Sequence, residues 1–189
     1  SKKSHSGFTP LVEGFLRVPF NDVEAVKKII DENNEIAAIL LEPVQGEGGI
    51  IVPDKHYLYH LREITQQHNI LLMIDEVQSG ICRTGKWFAH QHDNIIPDVI
   101  TIAKALGNGI PIGACLASNK ASEILIPGSH GSTFGGNFLS CKVALKVLDL
   151  MRDEQICINA REMGLYFDKE LKTRLANKKS ISEIRCKGL

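Results

Sequence analysis

"ILLMIDEVQSG", residues 70 to 80, sets the apolar run Ile70 to Ile74 directly against two carboxylates, Asp75 and Glu76. A short unbroken apolar run bounded by polar residues is the pattern of a strand covered on both faces, as in a parallel sheet. Two other runs behave alike. "IAAILL", residues 36 to 41, ends at Glu42, and "VITIA", residues 99 to 103, ends at Lys104. Between the strands the apolar period changes to that of a helix. "DVEAVKKIIDENN" carries Val23, Val26, Ile29 and Ile30 on one stripe, and Asn21 with Glu24 three residues on reads as its capping-box start. "EPVQGEGGIIVP" is a loop by its glycines and prolines. Asp54 then stands ready to cap "KHYLYHLREITQQH", with Tyr57, Leu58, Leu61 and Ile64 at helical spacing.

Downstream, "RTGKWFAHQHD" fits a short helical or irregular crossover. The gap between the third strand and "GACLAS" is too short, and too rich in glycine and proline, for a parallel crossover with its own helix, so the fourth strand is expected to run antiparallel. A glycine-rich loop, "PGSHGSTFGGN", leads into two amphipathic helices, Phe138 to Asp153 and Gln155 to Ala176. The alternation predicts an α/β fold: a mostly parallel sheet with helices on both faces and one antiparallel strand.

Composition narrows the function. Lysine plus arginine equal aspartate plus glutamate at 22 each, so no net field draws the chain to nucleic acid or to an anionic membrane. A small-molecule partner fits better. The apolar runs fall far short of the roughly twenty residues of a membrane span, and the opening "SKKSHSGF" lacks the core of a signal peptide. Five scattered cysteines, never spaced C-x-x-C, argue against a disulfide framework and for a reducing cytoplasm. The start at serine and the end at "EIRCKGL" suggest a piece of a longer chain.

Each strand-end charge, Glu42, Asp75 and Lys104, sits where open α/β sheets bind ligands, in the crevice beyond the carboxyl ends of the strands. Singly, each has a plain structural reading: a cap or turn for the acids, a snorkelling surface side chain for the lysine. Together they suggest chemistry. A lysine flanked by Ala103, Ala105 and Leu106 is costly to bury as a cation, whereas a neutral amine in a dry pocket attacks carbonyls. A pyridoxal phosphate site needs such a lysine for its aldehyde and a carboxylate against its pyridinium nitrogen, the place open to Asp75.

Two other motifs compete. "GICRTGKW", residues 80 to 87, approaches the phosphate-binding loop of an ATPase. Trp87 stands where a hydroxyl should hold magnesium, and the segment follows the acidic pair instead of preceding it on another strand. His56 with His60, and His90 with His92, have metal-like spacing but no third convergent ligand.

"LLEPVQGEGG", "DEVQSGICRTGK", "AKALGNGIPIGA" and "HGSTFGGN", in that order, resemble the class III pyridoxal-phosphate aminotransferases over nearly the whole chain. Within that family the likeness is greatest to the branch acting on N-acetylornithine, with ornithine, succinylornithine and 4-aminobutyrate branches close by. The resemblance implies the large-domain portion of fold type I over residues 1–176, with the start of a truncated small domain at 177–189. It implies that Lys104 forms the Schiff base and shuttles a proton, that Asp75 binds the pyridinium nitrogen, and that Gln78 lies by the ring hydroxyl. Ser132 and Thr133 are implied to reach a cofactor phosphate across a homodimer interface, the active site being shared between subunits. Glu47 is implied to pair with a substrate-binding arginine and to gate between amino donor and 2-oxoglutarate. Glu76 and Arg83, inside the motif, are given structural roles. The implied reaction moves an amino group from N-acetylornithine to 2-oxoglutarate, a step of arginine biosynthesis. Cys82 and Asn108 stand where the family usually has glycine, and Phe138 where it has proline; of these, Asn108 suits a left-handed backbone and Cys82 has no evident reason.

Overall fold

The computed structural model describes residues 5–189, which leaves the first four residues of the opening "SKKSHSGF" outside the description. Helix α1 (Val23–Asp31) leads to strand β1 (Ala38–Leu41), helix α2 (Tyr57–Gln67) to β2 (Leu71–Asp75), and a 3-10 turn at Ala89–Asp93 to β3 (Val99–Ile102). A second 3-10 turn, Lys104–Leu106, connects to β4 (Ala114–Ala117), after which come helices α3 (Phe138–Asp153) and α4 (Ile156–Leu175). The strands lie in the order β1-β2-β3-β4. β1, β2 and β3 are mutually parallel and β4 is antiparallel to β3, as the short connection predicts.

Two caps differ from the sequence reading. Asp22, not Asn21, caps α1, its carboxylate accepting from the Ala25 amide at 2.9 Å. Asn21 takes a left-handed backbone (φ 67°), and its side chain accepts instead from the Asp54 amide across the chain. Asp54 meets α2 through its carbonyl, which accepts from the Tyr57 amide, so the helix starts without a side-chain cap. The Asn21 side chain is thus taken up by the backbone of Asp54, a tertiary pairing that local capping rules do not see.

The register places Ile39 beside Leu72, Leu41 beside Ile74 and Ile74 beside Ile100. With the period of two these residues share one face, and α1 and α2 cover it with Val26, Ile30, Leu58, Leu61 and Ile64. Each such fully buried side chain contributes about 1.5–3 kcal/mol. A second cluster, Ile81, Ile102, Leu106 and Ala144, packs α3 against the turn that follows β3. The opposite sheet face is only partly covered by this chain: Leu40 is 57% exposed, and Met73, Asp75 and Thr101 are half-buried. Except at Val99, which is buried on that face too, the runs that read as covered on both sides are therefore closed on one.

Asp98 pins β2 to β3. Its carboxylate accepts from the Leu72 amide at 2.8 Å and from the Arg62 guanidinium of α2 at 2.7 Å, and its own amide donates to the Leu72 carbonyl. That triple tie sets Asp75 directly opposite Thr101, three residues before Lys104.

The unusual residues of the motifs fall on unusual backbone. Cys82 (φ 66°) and Asn108 (φ 43°) both adopt the left-handed conformation that favours glycine, which is the physical reason for glycine at such positions. Phe138 is the first residue of α3, where proline is well suited, and its ring is 95% exposed. Asn108→Ala is expected to lower stability by about 1 kcal/mol, because alanine pays for φ > 0 more heavily than asparagine. A drop in denaturant midpoint at constant slope is the measurement.

Candidate active site

The loops after β1 and β2 and the turn after β3 meet at one end of the sheet. Asp75 ends β2 half-buried, its Oδ1 accepting from the Val77 amide at 2.9 Å and from the Thr101 hydroxyl at 3.1 Å. Gln78, two residues beyond Glu76, lies against Gly46, where an added Cβ would overlap its side-chain amide. A side chain at residue 46 would have to displace the Gln78 amide from this seat. The Gly46 amide donates to Glu42 at 2.9 Å, closing the β1 loop back onto its own strand end. Glu42, Gly46, Gln78 and Asp75 are thus linked into one rim by register and contact.

Lys104 follows β3 with φ 40°, a left-handed position sparsely used by residues with a side chain. Its carbonyl accepts from the Gly107 and Asn108 amides, both at 3.1 Å, so the turn holds the strain in place. Such strain is characteristic of functional positions. The water-poor surroundings expected from its apolar neighbours are not formed by this chain: Lys104 is exposed. The reason is local, since Leu106 takes the buried place in the second core and the two alanines are too short to cover the amine.

Glu76 is the most deeply buried charge of the region, 1% exposed. Its Oε2 accepts from the Ser79 hydroxyl (2.6 Å) and the Ala89 amide (3.0 Å); its Oε1 accepts from the His90 amide (2.9 Å) and lies 3.0 Å from His90 Nδ1. Burial pushes its carboxyl upward, but the bonds from His90, Ser79 and Ala89 together outweigh burial and hold it below the usual carboxylate range. Glu76 therefore ties the turn bearing Asp75 and Gln78 to the 3-10 turn at Ala89–Asp93, the structural role expected of it. His90 is accounted for there, His92 lies against Thr84, and His60 against Glu63.

Cys82 is buried against the Cys157 thiol of α4, and burial first, then that neighbour, pushes its thiol up to about 12. A thiol so held is inert at neutral pH. All five cysteines are free thiols.

Glu47 is exposed on the β1 loop, whose Gly49 and Ile50 carbonyls accept from the Arg185 guanidinium at 2.8 and 3.1 Å. Gly188 is wedged between α4 at Gly164 and the loop at Arg83 and Thr84, with φ 78°. The tail after α4 thus braces both loops of the rim and closes a cavity of about 320 Å³ with Val44, Gln78 and Phe167. Ser132 and Thr133 lie apart, on an exposed loop. The Ser132 hydroxyl accepts from the Gly135 amide at 3.0 Å and lines a separate hollow of about 220 Å³ before α3. Neither hollow is lined by Asp75 or Lys104.

One site residue escaped the sequence reading. Thr101 is a polar residue inside an apolar strand, a visible signal, but its partner lies 26 positions away and only the register identifies it.

Among known proteins, the model of the family "Aminotransferase class-III" matches residues 1–189. The acetylornithine aminotransferase of Nitrosomonas europaea is 50% identical over 189 residues, 100% of this chain and 48% of that protein. Ornithine aminotransferase 2 of Staphylococcus aureus is 46% identical over 184 residues, 97% of this chain and 46% of its own length. The solved structure of an ornithine aminotransferase from Toxoplasma gondii, described with partial occupancy of pyridoxal phosphate at its active site, superposes with a TM-score of 0.96 at 38% identity, covering 100% of this chain and 45% of that one. The chain spans about half the length of the curated relatives it matches. Four ordered motifs, the parallel sheet with its antiparallel edge and these likenesses lead to one assignment: the chain belongs to the class III aminotransferases.

Proposed function

We propose that the chain is the central part of the cofactor-binding domain of a pyridoxal-phosphate aminotransferase that moves an amino group from N-acetylornithine to 2-oxoglutarate. The observation that carries the reading is the delivery of Asp75 and the strained Lys104 to one end of the sheet by two paired strands. The donor set fits the cofactor. Both hydrogen bonds to Asp75 fall on Oδ1, and Oδ2 accepts none among the described residues, so it is free for a ring N–H.

Bound there, pyridoxal phosphate supplies an aldehyde that captures amines and a ring that withdraws electrons from the α-carbon. Asp75 holds the ring nitrogen protonated. Gln78 donates toward the ring hydroxyl from its seat against Gly46. Lys104 would hold the aldehyde through its amine, and the same Nζ would serve as the base that accepts and returns a proton. Glu47 switches between partners as amino donor and 2-oxo acid alternate, on the loop that Arg185 braces.

The remaining parts come from outside this surface. Ser132 and Thr133 reach a phosphate of a second copy in a homodimer whose active sites are shared. The large apolar side chains beside them support a covered face, since Phe134 is 82%, Phe138 95% and Leu139 68% exposed. The same covering supplies the dry surroundings that Lys104 lacks here. Residues 177–189 begin the small domain, and the free thiols suit a reducing, cytoplasmic setting. Among the described residues no helix is long and apolar enough to cross a membrane.

Glutamate formation from 2-oxoglutarate, measured on the full-length protein with a panel of amino donors, tests the reading. N-acetylornithine is expected to give the highest kcat/KM. Ornithine, succinylornithine or 4-aminobutyrate in first place moves the assignment to that branch, and no transfer from any donor overturns it.

A further inference from the structure

Thr101 touches the end of β2 twice. Its carbonyl accepts from the Glu76 amide at 2.9 Å, and its hydroxyl donates to Asp75 Oδ1 at 3.1 Å. Threonine is stiff about χ1, so a hydroxyl on a paired strand is a fixed donor. The carboxylate torsion, by contrast, is broad and close to two-fold, and the Val77 amide alone leaves the group free to rock about a single bond. Two donors on one oxygen define the carboxylate plane and aim the other oxygen away from both.

We propose that Thr101 is a positioning residue that orients Asp75, keeping Oδ2 as the acceptor for the cofactor's ring nitrogen. This rests on the reading that Asp75 faces that nitrogen. Thr101 sits on the same strand that delivers Lys104 three residues later, so one short segment of β3 sets the placement of both the acid and the amine. Valine at 101 keeps the branched shape and the strand propensity and removes only the donor. Serine keeps the donor.

The test uses the apo full-length protein with Thr101→Val, Thr101→Ser and Asp75→Asn. Pyridoxal phosphate affinity is measured by titration, together with the pH dependence of the bound cofactor's visible band and the melting temperature of the apo form. Thr101→Val is expected to weaken binding about tenfold, as for loss of a hydrogen bond to a charged group, and to shift the band's pH midpoint in the same direction as Asp75→Asn. Apo melting stays unchanged, and Thr101→Ser restores affinity and band. Wild-type behaviour of Thr101→Val beside a weakened Asp75→Asn overturns the positioning role and leaves Asp75 in place. A loss of affinity matched by a loss of apo stability also overturns it, in favour of a purely structural threonine. Wild-type binding by both Thr101→Val and Asp75→Asn removes the role and the reading beneath it.

Discussion

Lys104→Ala in the full-length protein is expected to lower kcat for amino transfer by roughly 10³-fold or more, the range expected when a positioned proton-transfer group is removed, with the covalent anchor of the aldehyde lost as well. Stability is expected to change by less than about 0.5 kcal/mol, as for exposed positions. The lysine side chain is exposed, and alanine at φ 40° meets the same backbone strain as lysine. Arginine is not expected to rescue activity, since its guanidinium stays protonated and cannot act as a nucleophile. Small amines added to the alanine variant restore part of the proton transfer. Single-turnover absorbance with N-acetylornithine separates the slowed chemical step from weakened binding. Turnover at the wild-type rate removes Lys104 from the chemistry.

Glu76→Ala is expected to destabilise the fold by about 3 kcal/mol, since it strands buried donors that the carboxylate satisfied. Ser79 Oγ, the Ala89 and His90 amides and the His90 ring all lose their acceptor at once. Because the turn of Asp75 and Gln78 is fixed through Glu76, cofactor affinity falls along with stability. Glu76→Gln keeps the volume and one acceptor oxygen and costs less. The pH dependence has a definite sign. The folded-state carboxyl lies below its unfolded value, so its contribution is complete above the ordinary glutamate range and is lost as pH falls through the depressed folded value. Wild-type stability is therefore expected to fall over that acid window, and Glu76→Gln to show a shallower acid limb in chemical denaturation. Equal acid limbs in the two proteins would exclude Glu76 as the source.

These two residues also mark how much of the site could be read in one dimension. Lys104 and Asp75 stand out because a charge at the end of an apolar strand breaks the local pattern, and a chemical break survives in the bare sequence. The strands, the antiparallel edge at β4 and the bounds of α3 follow likewise from period and connection length. Asn21 does not cap α1 because its side-chain oxygen accepts from the Asp54 amide 33 positions on, and Asp54 meets α2 only through its backbone carbonyl. Short-range rules assign a polar side chain to its nearest vacancy, and folding offered Asn21 a better one.

Residue order alone determined which chemical groups are present and that they punctuate the ends of three strands in an α/β alternation; hydrophobic periodicity and turn chemistry are local, and local physics is written in neighbouring residues. Only the tertiary structure decided that Thr101 faces Asp75, that Glu76 is buried against His90, that Arg185 braces the loop of Glu47, and that Lys104 stands exposed beside a buried Leu106. Those outcomes depend on strand register and on which surfaces find cover, and both are set by contacts between segments far apart in the chain.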